Sequence, residues 1–128
     1  MCDADQVAWE VEFTHQFEDW WNGLDGEQQE YMDAAIQLLQ DKGPALGRPL
    51  VDTIKASIHG NMKELRISKG GDLRVLFAFG PTRKAILLCG GDKQGNWDHW
   101  YKENVPFADG LFNGYLVELE KEAENGTP

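Results

Sequence analysis

The chain has 128 residues, of which 41% are hydrophobic, with 22 acidic against 12 basic side chains and a formal net charge of −10. That length allows one hydrophobic core and a single domain over 1–128, and no apolar run approaches the roughly 20 residues of a membrane span. The charge is uneven: ten of the twelve Lys and Arg lie between Lys42 and Lys93 against four acids, so that segment is net +6 and the remainder net −16. An acidic whole argues against indiscriminate nucleic-acid binding, while a concentrated basic segment meets the minimum for gripping a phosphate backbone. Alternation of the cations with apolar residues predicts that they share a sheet surface.

The beginning, MCDADQ, is acidic and has no apolar stretch behind it, so no signal peptide is expected. Cys2 and Cys89 show no metal-ligand spacing, and Cys89 reads as a reduced core residue. Both features fit a soluble cytoplasmic protein. Residues 8–13 alternate apolar and acidic, as a half-buried strand does. Thr14 is placed as an N-cap, with Phe17, Trp20, Trp21 and Leu24 following at helical spacing. Asp25–Gly26 signals a turn, and a second helix is predicted from about Glu27 to Lys42, stopped by Gly43–Pro44.

The irregular stretch 43–60 carries two prolines and reads as a wrapped loop, with a brief strand over 50–54. Three strands follow, Met62–Ser68, Leu73–Phe79 and Ala85–Cys89, joined by short turns as consecutive antiparallel hairpins. The stretch after them reads as a glycine-rich exit and a short aromatic turn. A last helix is predicted from Ala108, ending in an acidic, frayed tail over 120–128. The architecture is therefore α+β: an N-terminal strand and helical hairpin packed on an antiparallel sheet, with a C-terminal helix.

Alternation in MKELRIS points Met62, Glu64 and Arg66 one way and Lys63, Leu65 and Ile67 the other. Arg74 opens the next strand, and Lys93 lies just past the third. In a meander, Arg66, Arg74 and Lys93 can converge on one concave patch, with Tyr101 closing it. Cleavage of RNA by its own 2′-OH needs only a proton acceptor, a donor for the leaving 5′-oxygen and cations for the phosphorane charge. Arg suits the last role, binding phosphate oxygens bidentately while keeping its charge. The plainer alternative makes Arg66 and Arg74 surface residues paired with Glu64 or an acidic helix. His59 could face the same patch, and His99 is suited to acid/base work. No paired metal ligands, P-loop or nucleotide fingerprint is present.

The blocks WEVEFTHQFEDWW, LGRP, IKASIHGNMKELR and LRVLFAFGPTRKAILLCGGDK, followed by the late aromatics and leucines, resemble the phage-derived HigB-like branch of the RelE/ParE toxin superfamily. The resemblance runs from about Val7 to Leu119. It implies a RelE-like fold and the toxin of a type II toxin–antitoxin pair: a ribosome-dependent mRNA endonuclease that uses no metal or cofactor. The implied partners are a cognate helix-turn-helix antitoxin, the ribosome and mRNA, with operon DNA reached only through the antitoxin and no membrane. By similarity, Arg66 and Arg74 stabilise charge, Lys93 does acid/base or leaving-group work, and Tyr101 stacks on a base or transfers a proton. Lys63, His99 and Trp100 are implied RNA contacts. Two departures stand out: RelE-type nucleases are usually strongly basic, and Glu64 stands where a lysine often does. A ParE-like gyrase poison and a non-toxic antitoxin-binding co-repressor remain the competing readings.

Overall fold

The computed structural model describes residues 8–69, 71–92 and 96–125. Its elements are β1 (Glu10–Phe13), α1 (His15–Asn22), α2 (Gly26–Lys42), a 3-10 turn (Gly43–Ala45), β2 (Val51–Thr53), β3 (Met62–Ile67), β4 (Leu73–Phe79), β5 (Lys84–Asp92) and α3 (Trp97–Asn125). The five strands form one sheet in the order β1-β5-β4-β3-β2. Strands β2 to β5 pair antiparallel, as the short turns predict. β1 departs from that pattern and pairs parallel with β5, a direction that needs the long crossover formed by the intervening elements.

Local chemistry sets the helix ends. The Thr14 hydroxyl accepts from the Phe17 amide at 3.0 Å and donates to the Leu88 carbonyl at 2.6 Å, capping α1 and tying it to β5. Asp25 and Gln28 form a reciprocal capping box at the start of α2. Gly43, at φ +53°, ends that helix where a Cβ would overlap the Trp9 ring.

Both faces of the sheet are covered. Leu65, Ile67, Leu73, Val75, Phe77 and Leu87 join Phe17, Met32 and Leu39 of α1 and α2 in the larger core. Met62, Leu76, Ala78, Ile86 and Leu88 meet Val105, Ala108 and Phe112 of α3 on the other face. Residues that alternate along one strand thus serve two separate cores, which is why β4 and β5 read as almost continuously apolar.

Helix α3 corrects the sequence reading. It begins at Trp97 rather than Ala108, absorbs the expected aromatic turn, and continues through Pro106 to Asn125. Pro106 is exposed and removes one intrahelical donor, a loss that the packing stripe outweighs. Trp97, Tyr101, Val105, Ala108 and Phe112 recur at helical spacing down the side that faces the sheet. Asn96 caps the start, its side chain accepting from the His99 amide at 3.2 Å. Residues 120–125, expected to fray, are helical and exposed. Among the described residues no helix is long and apolar enough to cross a membrane.

Candidate phosphate-binding and catalytic site

The pairing of β3 with β4 sets Arg66 directly opposite Arg74, with Glu64 two residues from Arg66 on the same face. Two like charges at opposed positions are unfavourable unless an anion stands between them. Glu64 supplies it. Its carboxylate is buried, and Oε2 accepts from Arg66 Nε and Nη2, both at 2.9 Å. Oε1 accepts from the Tyr101 hydroxyl at 2.5 Å and lies 3.9 Å from Arg74 Nη1. Arg74 Nη1 in turn donates to the Tyr101 oxygen, so that four side chains are linked: Glu64, Tyr101 and Arg74 close on one another, and Arg66 joins them through Glu64.

The first turns of α3 form the wall. The Arg74 guanidinium lies 4.5 Å from the Trp97 ring centroid and 5.8 Å from that of Tyr101, within cation–π range. Arg74 Nε is buried and has no hydrogen-bond partner among the described residues, with Asp72 3.9 Å away. At the open side, Arg48 donates to Asp52 at 3.0 Å, and Asp52 lies 3.9 Å from Arg66. Arg48, Asp52, Glu64, Arg66, Arg74 and Tyr101 line a groove of about 380 Å³.

The electrostatics follow from these contacts. Burial works against the Arg66 charge, but Glu64 beside it prevails and raises its pKa. Burial, reinforced by Glu64 and opposed by Arg74, raises the Tyr101 pKa, so the phenol keeps its proton. The hydrogen bond from Arg48 lowers the Asp52 pKa. Two guanidiniums and one carboxylate leave a net positive pocket with protonated Tyr101 at its wall. That arrangement can hold a phosphate and present a proton to it.

The family model "Phage derived protein Gp49-like (DUF891)" matches residues 19–113. The chain is 47% identical over 122 residues to HigB2 of Mycobacterium tuberculosis, described as a candidate toxin. That match covers 94% of this chain and 59% of the relative, so the chain spans under two thirds of HigB2. It is 51% identical over 102 residues to the candidate toxin HigB3 of the same organism, covering 80% of this chain and 89% of that one. This chain belongs to the phage-derived Gp49-like family. Its fold is similar to that of the isolated Escherichia coli RelE toxin, at TM-score 0.58 and 10% identity, covering 74% of this chain and 97% of RelE. A similar match is to the E. coli RelBE toxin–antitoxin complex, at TM-score 0.55 and 8% identity, covering 69% of this chain and 100% of that one.

Within this Gp49-like chain the expected site residues divide. Arg66, Arg74 and Tyr101 come together. Trp100 lies beside them, edge-on to Tyr101 and Trp97 at 5.2 Å from each centroid. His99 is 67% exposed and sits 3.4 Å from Glu103, outside the group of four. Lys63 points to the opposite sheet face and donates to Thr53 at 2.9 Å. Lys93 lies outside the described residues.

Two expectations need correction. His59 does not face the patch: it bonds Asn113 at 2.7 Å and packs against Phe112, about 18 Å along α3 from Tyr101 at 1.5 Å per residue. Nor do the central cations share one surface. Lys84 pairs with Glu12 at 2.7 Å and Arg83 covers Trp9, whereas Arg48, Lys55, Arg66 and Arg74 line the groove. The sequence reading passed over Trp97. The plainer alternative did pair Arg66 and Arg74 with Glu64, and that pairing is present, but around a buried carboxylate rather than at the sheet surface.

Proposed function

We propose that this chain is the toxin of a type II toxin–antitoxin pair and that it cleaves mRNA on the ribosome. The observation that carries this reading is the cluster formed by Arg66, Arg74, Tyr101 and Glu64, a net cationic pocket with a protonated phenol. The scissile phosphate sits against Arg66 and Arg74, whose donors strengthen their hold as charge develops on the phosphorane oxygens. The substrate 2′-oxygen bonds to phosphorus as the bond from phosphorus to the 5′-oxygen breaks. A cyclic 2′,3′-phosphate and a free 5′-hydroxyl result.

Tyr101 is the proton donor to the leaving oxygen: burial keeps the phenol protonated, and the departing 5′-alkoxide is basic enough to take that proton. Lys93 keeps the acid/base role implied by resemblance: as the neutral amine it accepts the 2′-OH proton. Glu64 is a positioning residue: both its oxygens are engaged and it is buried, so it orients the arginines and the phenol rather than touching RNA. The cognate antitoxin covers this cationic groove with acidic residues.

The test is transcript 5′-end mapping shortly after induction in a bacterial host, beside Arg74→Ala. New breaks within translated codons, absent from that variant, are expected. Growth arrest without breaks would move the reading to a gyrase or other protein target. No arrest from folded protein would leave a non-toxic antitoxin-binding module.

A further inference from the structure

A second groove lies one strand over from the arginines. The pairing of β1 with β5 stops at Phe13 and Leu87, whereas β5 runs on to Asp92 along β4. Gly90 and Gly91 stand in that last stretch. A Cβ at Gly90 would overlap the Trp20 ring of α1, and one at Gly91 would overlap the Trp100 ring of α3. Two indoles therefore close on bare backbone from different elements. With Trp97, Asp92, His99 and Glu103 they border a groove of about 410 Å³.

Its position relative to the arginines is fixed by register. Gly91 is the direct partner of Arg74, so the groove begins one interstrand spacing away, about 5 Å. Trp97 belongs to both places: it covers the Arg74 guanidinium and also lines the groove. Its indole N–H is buried and has no hydrogen-bond partner among the described residues.

We infer that this groove is a nucleobase subsite selective for guanine, receiving the base next to the phosphate that Arg66 and Arg74 hold. The ligand class rests on the RNA-cleaving reading above; the selectivity rests on the groove itself. Indole faces offer a base a stacking surface. The rim, however, is acidic, with the carboxylates of Asp92 and Glu103, while the Asn96 oxygen is taken by the His99 amide. Those carboxylates repel phosphate, so charge sorts the nucleotide, sending phosphate to the arginines and the base to the acidic rim. Guanine presents adjacent N1–H and N2–H donors, which one carboxylate accepts together. Uracil presents carbonyl oxygens on both sides of its one ring N–H and meets repulsion instead.

The test is quenching of tryptophan fluorescence in the intact protein by the 5′-monophosphates of guanosine, adenosine, cytidine and uridine. GMP should bind at least about tenfold more tightly than UMP, the discrimination of one good bidentate contact. Glu103 is exposed, so Glu103→Gln keeps the fold and should reduce that preference, and Asp92→Asn should reduce it further. Arg74→Ala should weaken all four nucleotides while leaving their order unchanged. Equal affinity for the four, or no binding, overturns the inference. The two readings fail separately: codon breaks with no base preference would sink the subsite alone, whereas selective GMP binding without mRNA breaks would sink the nuclease alone.

Discussion

The two faces of this sheet use the same strands for opposite purposes. On the α1/α2 face, Leu65, Ile67, Leu73, Val75, Phe77 and Leu87 build a core with no charged member. On the α3 face, one residue along each strand, half-buried Arg66 and Arg74 gather around the buried Glu64 beside the apolar Met62, Leu76 and Ile86. A period-two pattern therefore separates stability from chemistry by side-chain parity alone. The site is held by strands whose other face is locked in place, and rigid elements of that kind keep a catalytic geometry better than loops do.

The comparison would break most visibly if the apolar face were not the stabilising one. Phe77 is fully buried and packs edge-on to Phe79 at 5.4 Å. Phe77→Ala should cost about 3–5 kcal/mol through lost transfer energy and the cavity left behind. That is a large part of the roughly 5–15 kcal/mol that stabilises a domain of this kind. Urea denaturation followed by tryptophan fluorescence measures it, and a loss near 1 kcal/mol would show that this core is loosely packed.

Parity was legible in the sequence because MKELRIS alternates without interruption, and it placed Glu64 and Arg66 on one face and Lys63 on the other. The hairpins were legible because their turns are short and their strands apolar. Three features were not. The parallel pairing of β1 with β5 has no local signal, since it is set by a crossover of some seventy residues. The start of α3 was hidden because its first turns, read as a short aromatic turn, precede Pro106, whose missing donor costs less than the packing of Trp97, Tyr101 and Phe112 secures. The pairing across the site was hidden because Glu64 meets Tyr101 only after β3 and α3 pack together, 37 residues apart in sequence.

A smaller effect, and a sharper one, is expected from Glu64→Gln. Shape is kept, but one oxygen becomes a donor facing Arg66 or the Tyr101–Arg74 pair, at a cost of about 1.5–3 kcal/mol for hydrogen bonds to charged groups. The cluster also gains a net positive charge. Nucleotide binding should tighten while cleavage slows, because phosphate is attracted more strongly but the arginines and phenol are no longer aligned. Separate kcat and KM values for cleavage would show the split. Unchanged kcat would remove Glu64 as a positioning residue and reduce the two faces to a difference in stability alone.

The smallest expected effect concerns the apolar half of the α3 face, where Cys89 is buried against the second core. Burial pushes its thiol pKa from an ordinary 9.0 up to about 12. The folded state therefore holds the thiol proton more tightly than the unfolded chain does. That contribution to stability is fully present below the ordinary thiol range and is lost as pH rises from about 9 toward 12. At pH 8.5 the thiolate, which is the reactive form, should be almost absent in the native protein. In a Cys2→Ser background, Cys89 should resist alkylation until urea unfolds the chain, with no change in stability between pH 7 and 8.5 from this group. Rapid native labelling would mean that α3 lifts from the sheet often enough to expose β5. The chemical face would then be the mobile one, and the site would owe its geometry to Glu64 and its partners rather than to the packing around them.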